Sequence, residues 1–207
     1  MAILNCGCPP PSSLTAIPIV ECEENIGQIV RVAFQRRQSS APFVNGVNGI
    51  ELQASWDTFI ADTGNAKIVI TGDRVSNPVI EAGDAVTFGG GDNSTAYGTT
   101  LITDINPSTF TVDFLSLNSE AERAMKELMC EKDLTVYFIN NVGKIIAQLD
   151  GSDHKGFEVE AVFVGDKGTQ GYGQFDTNSV SFQLPAGWSS YLDIVEPEAG
   201  FDPRYDL

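Results

Sequence analysis

Short runs in which apolar and polar side chains alternate recur along this chain, and no other feature constrains its fold as strongly. In IGQIVRVAFQRR, residues 26–37, Ile29, Arg31, Ala33 and Gln35 fall on one side and Val30, Val32 and Phe34 on the other, which is the period of a strand. The segments AKIVITGD and AVTFGG read as strands too. TTLITDI and STFTVDFLSL read as a strand pair joined across the turn dipeptide Asn106-Pro107. In LTVYFINNVGKIIAQL, strands over residues 134–139 and 144–149 flank Asn140-Asn141-Val142-Gly143, whose Asn and Gly residues accept positive φ, so a hairpin is expected. GFEVEAVFVGD alternates again, and VSFQLP follows the polar loop KGTQGYGQFDTNS as a last strand.

Two stretches break the period of two. Leu52, Trp56, Phe59 and Ile60 share one face of a helix, with Gly64 placed to cap its end. The clearest helix spans residues 119–131. Ser119 and Glu122 suit a capping box, Glu120 and Glu122 sit at the positive end of the dipole, and Ala121, Ala124, Met125, Leu128 and Met129 form its apolar stripe. The expected architecture is α+β and mainly β, a β-sandwich or incomplete barrel with a flanking helix. Residues 26–185 form the core domain, with a long loop at 38–49 whose apolar Phe43, Val44 and Val47 make a sticky tip. Residues 1–25 and 186–207 read as extended arms. Pro9, Pro10 and Pro11 forbid helix and favour a polyproline segment, and the C-terminal stretch is acidic, Pro-containing and aromatic, with Trp188 and Tyr191.

The opening NCGCPPP poses a question of chemistry. Only five residues precede Cys6, without Lys or Arg, so a lipoprotein signal is not expected. No stretch has the uninterrupted apolar length of a transmembrane helix, so a soluble protein with no membrane partner is expected. Cys6, Cys8 and Cys22, with Cys130, match structural zinc spacing poorly, and the single histidine, His154, lies in a turn-like GSDHKG. A metal site and a disulfide to Cys22 stay open, but free thiols in a reducing compartment fit best.

Three stretches resemble enzyme motifs and fail on context. Asp62-Thr63-Gly64 ends an amphipathic helix, whereas the aspartic-protease triplet needs a loop and a second copy. FGGGDNST lacks the Lys and following helix of a phosphate loop. GGGDNST and LDGSDHKG lack the regular spacing and closing Glu of a calcium loop. No enzyme activity and no cofactor are expected.

Charge narrows the partners. Twelve basic against 28 acidic residues give a formal charge of −16 over 207 residues. A nucleic-acid binder needs a basic face to displace counterions from phosphate, so specific DNA binding is not expected. On its own an acidic surface is read first as keeping a chain soluble, and it also suits a wall past which DNA slides without sticking.

The stretches SWDTFIADTGNAKIVITGDRVSNPVIEAG, TFGGGDNS, PSTFTVDF, AMKELMCE, VYFINNVGKI, NSVSFQLPAGWSSYLDIVEP and FDPRYDL, in that order, resemble structural proteins of tailed bacteriophages and their prophages, most of all tail tube proteins. The resemblance implies a subunit that closes into rings, expected to be hexameric, which stack through arms and loops into a tube for DNA passage. The implied partners are further copies of the chain and other virion proteins, and the implied location is the virion, after synthesis in the host bacterial cytoplasm. Pro9, Pro10, Pro11, Phe43, Val44, Val47, Trp188 and Tyr191 would then touch neighbouring subunits, and Asp92, Asp150 and Asp153 would face the lumen. Another virion component (a capsid decoration, tail terminator or connector protein) is the alternative, and a carbohydrate-binding module ranks below both.

Overall fold

The computed structural model describes residues 25–91 and 94–207, with Ile17 and excepting the Ala96 side chain. Alternation becomes two antiparallel sheets that share a strand. In the first, β1 (Ile29–Arg36) pairs with β2 (Ile68–Ile70) on one side and β7 (Leu134–Asn140) on the other. The sheet continues from β7 through β8 (Ile145–Asp150) to β12 (Leu192–Val195), and β9 (Asp153–Lys155) turns back along β8. The second sheet runs β10 (Phe157–Val164), β11 (Thr177–Leu184), β6 (Ser108–Leu115), β3 (Val75–Glu81).

β10 belongs to both sheets. Its start, Phe157 to Val159, pairs with β7, and its remainder pairs with β11. A bulge between Glu160 and Phe163, with Ala161 at φ 51°, turns the strand through the corner. β2 and β3 pair on one side only, so the barrel is left open at a seam between them.

Between the sheets lies the main core. Alternate residues of β6 (Phe110, Val112, Phe114) and β11 (Val180, Phe182, Leu184) meet Val32 and Phe34 of β1 and Val136 and Phe138 of β7. Phe110 stacks on Phe182 at 4.8 Å. A register shift between Ile29 and Arg31 brings Ile29 into this core beside Val32, where strict alternation would put it on the opposite side.

The other face of the first sheet is also covered, which is why every residue of β7 is buried. Here Ala33, Tyr137, Ile145 and Ala147 pack under helix α1 (Gln53–Ala61), the loop before it and the C-terminal segment. Trp56 is fully buried and donates its indole N–H to Ile50 O at 2.7 Å. Phe43 lies within 4.9 Å of the Trp56 ring, 5.0 Å of Phe59 and 5.5 Å of Tyr137. The Tyr137 hydroxyl donates to Gln35 Oε1 at 2.9 Å, and Gln35 donates to Ala66 O at 2.7 Å, so the polar groups of these two buried side chains are paired. Burial pushes the Tyr137 phenol far above its ordinary pKa.

Several expectations change. TTLITDI does not pair with STFTVDFLSL. β5 (Leu101–Ile105) pairs with β4 (Ala85–Phe88), while β6 pairs with β3 and β11. Asn106-Pro107 is therefore a kink in one continuing arm of a long hairpin, not its turn. Residues 186–207 are not an extended arm: β12 joins the first sheet, Glu198 N donates to Glu51 O at 3.0 Å, and Phe201 is buried. Arg31 also donates to the carbonyl of Leu207. Helix α2 (Ser119–Glu127) is capped by Asn118, whose Oδ1 accepts from Ala121 N at 2.7 Å, rather than by a Ser119 box, and a 3-10 turn (Leu128–Cys130) replaces its last expected turn. Gly64 does not cap α1 directly. Asp62 ends the helix and accepts the Gly64 N–H at 2.9 Å. Residues 1–16 and 18–24, with Pro9, Pro10, Pro11, Cys6, Cys8 and Cys22, lie outside the described residues, as does Asp92.

Candidate functional site

Three surfaces lie outside the two cores, and the strand register assembles each of them. The first is the outward face of the second sheet. Cross-strand rows place Glu81, Thr109, Gln183 and Glu160 side by side, then Val79, Thr111, Ser181 and Phe163, then Ser76, Asp113 and Ser179. None of these residues is buried. The face thus offers hydroxyl and amide groups, three carboxylates and the exposed apolar pair Val79 and Phe163 at the two ends of one row, with no Lys or Arg. Among the described residues, Glu81, Asp113 and Glu160 have no ion-pair partner, in contrast with the carboxylates around α2. There Lys126 bonds Glu122 at 2.7 Å and Asp166 at 2.5 Å, and Arg36 holds Glu131. The hydrogen bond from Lys126 keeps the Glu122 and Asp166 carboxyls below the usual range, and Arg36 does the same for Glu131.

The second surface is a ribbon. β3 leads into β4 and β5 leads into β6, so the hairpin runs on past the sandwich as a two-stranded sheet of its own. Every residue of β4 and β5 is exposed, including Val86, Phe88, Leu101, Ile102 and Ile105. Tyr97, at φ 64°, stands fully exposed near the tip. Gly83 sets the kink: a Cβ there would lie 1.8 Å from Asn106 O. An isolated two-stranded ribbon has little stability of its own in water, and an uncovered apolar edge invites pairing.

The third surface is a groove of about 510 Å³ at the open seam, between α2 and β2. Its floor is apolar, with Phe34, Phe114, Met125 and Leu134, and its rim carries Lys67, Val69, Arg36 and Glu131. Val69 is 44% exposed although it lies on a strand.

The residues expected to touch neighbours scatter. Phe43 is wholly buried and Val44 half-buried, so the loop at 38–49 turns its largest apolar side chain inward rather than offering it at a sticky tip. Asn48 pins it by donating to Pro42 O at 2.8 Å, leaving Val47 exposed. Trp188 packs edge-on against Phe157 and donates to Ser108 Oγ at 3.1 Å, whereas Tyr191 is 64% exposed. Asp150 and Asp153 both have local roles: Asp150 pairs with Lys155 at 3.1 Å, and Asp153 accepts from Asn45 N at 3.0 Å. Cys130 carries an exposed free thiol. Among the described residues no group of three or more His, Cys, Asp or Glu is placed to hold a metal ion, and no helix is long and apolar enough to cross a membrane.

Reading the strands one at a time missed the ribbon and the acidic face. One signal for both was available: residues 75–122 contain Glu81, Asp84, Asp92, Asp104, Asp113, Glu120 and Glu122 and not one Lys or Arg. Edge strands are usually blunted by Lys, so apolar strands inside a cation-free stretch mark an edge meant to be covered.

Fold and surfaces together define an α+β protein, mainly β, whose strands build an incomplete barrel with a large antiparallel sheet and a small separate one. No protein-family model, no curated protein and no solved structure matches the chain.

Proposed function

We propose that the protein is a structural subunit of a tailed-bacteriophage virion, one that closes into rings stacked as a tail tube, with the outward face of the second sheet lining the DNA channel. The observation that carries this reading is the charge of that face: Glu81, Asp113 and Glu160 stand among Ser, Thr and Gln, with Val79 and Phe163 in one row and no cation in any. At about 0.15 M salt the Debye length is roughly 8 Å, so only charges close to passing phosphates repel them. A carboxylate-bearing, hydroxyl-rich wall without cations gives DNA no ion pair to stick on. The exposed ribbon adds support, because its apolar side chains and free strand edges are satisfied by pairing with another subunit.

Light scattering on purified protein, with negative-stain micrographs of the same sample, tests the reading. Closed rings or tubes are expected at micromolar concentration. A monomer that persists to about 100 µM, far above the dissociation constant of a stable interface, would overturn it.

A further inference from the structure

We propose that the ribbon of one copy seats in the seam groove of the next, with β5 added antiparallel to the free edge of β2. The inference rests on the ring-forming reading and names the contact that would join the copies.

The free edge comes first. Thr71 N donates to Val32 O, so by antiparallel alternation Val69 is the next residue bonded to β1, and Ile68 and Ile70 turn their backbone groups away from it. An incoming strand finds those groups ready, the mode by which extended segments add to exposed sheet edges.

Register then fixes the side chains. Ile68 and Ile70 pack towards α1, so Lys67 and Val69 point to the groove side. On β5, Ile102 and Asp104 share one face by the same period of two. Placing Ile102 opposite Val69 sets Asp104 opposite Lys67. Ile102 is 62% exposed and Val69 44% exposed, so both gain by burial. Lys67 is exposed and has no ion-pair partner among the described residues. The ribbon carries Asp84 and Asp104 without a Lys or Arg. One apolar pair and one charge pair therefore coincide in a single register.

Symmetry follows from the two surfaces being different. The ribbon and the groove lie on separate parts of the chain, so the contact is head-to-tail. With each ribbon seated in the following copy it propagates into a ring or a filament, whereas reciprocal seating between two copies would close as a two-fold dimer.

A charge swap tests the contact. Lys67→Glu, Asp104→Lys and the double variant are compared with the parent by sedimentation velocity over a concentration series. Thermal unfolding confirms that each remains folded, as expected for two exposed side chains. Each single variant should raise the concentration of half-assembly about tenfold or more, and the double variant should return to within about threefold of the parent. Single variants that assemble like the parent, or a double variant that does not recover, overturn the docking while leaving the ring reading in place. A parent that stays monomeric overturns the ring reading itself.

Discussion

Truncating Phe43 to Ala separates two pictures of the loop at 38–49. If the loop were a free contact element, the folded monomer would hardly notice. The structure instead buries Phe43 completely, against Trp56, Phe59 and Tyr137 at ring distances of 4.9, 5.0 and 5.5 Å. Removing a buried Phe costs roughly 3–5 kcal/mol, from lost transfer free energy plus the cavity left behind. The three ring contacts, each worth about 0.5–1.5 kcal/mol beyond area, put this site in the upper half of that range. The backbone bridge between Phe43 and His154, bonded at 2.9 and 3.2 Å, is untouched and limits collapse into the space. We therefore expect a loss of about 4 kcal/mol, which for a chain of this size lowers the midpoint by roughly 8–16 °C. Denaturant unfolding monitored by the fluorescence of Trp56 and Trp188 reads it directly. Val47→Asp, at the exposed end of the same loop, should shift stability by less than about 0.5 kcal/mol. A Phe43→Ala loss under about 1 kcal/mol would refute the assignment of this loop to the core.

The remaining predictions concern the ribbon, the helix and pH. Gly83→Ala should force the ribbon off its kink, because the added Cβ meets Asn106 O; a cost of about 1–3 kcal/mol and a loss of assembly are expected, and an unchanged midpoint in calorimetry would count against the close approach. Asn118→Ala should cost about 1 kcal/mol by removing the cap on Ala121 N, and Ser119→Ala much less, the reverse of what a Ser119 capping box requires. The carboxyls of Glu122, Asp166 and Glu131 are depressed by Lys126 and Arg36, so their contribution is present above the unfolded carboxylate range and disappears as pH falls through the lowered folded values. Lys126→Met should therefore lose stability at pH 7 and match the parent more closely at strongly acid pH; parallel curves for the two proteins would show that the pairing contributes nothing.

Local alternation carried much of this fold. β6 reads in the sequence as it stands in the structure, with Phe110, Val112 and Phe114 inward and Thr109, Thr111 and Asp113 outward, because one face of that sheet is open to solvent. β7 was legible as a strand but not as a strand buried on both faces. LTVYFI shows no charge, yet α1, the loop before it and the C-terminal segment, all remote in sequence, make the second cover. The ribbon was misjudged at Asn106-Pro107, since turn chemistry states that the chain bends, not by how much or with which strand it then pairs. At the C-terminus, acidic and Pro-rich composition masked the strand at Leu192–Val195 and the buried Phe201, whose partners on β8 and beneath α1 lie far away along the chain. The acidic sheet face could not be seen strand by strand. Glu81, Asp113 and Glu160 come together only through the register that joins β3, β6, β11 and β10.

A reconstruction of the assembled protein by electron cryomicroscopy would show which face lines the channel. A closed ring is expected, with a continuous channel whose wall is the outward face of the second sheet, Glu81, Asp113 and Glu160 towards the axis and α1 on the outside. A ring in which that face points outward or is buried between subunits, with Lys and Arg side chains lining the channel, would contradict it.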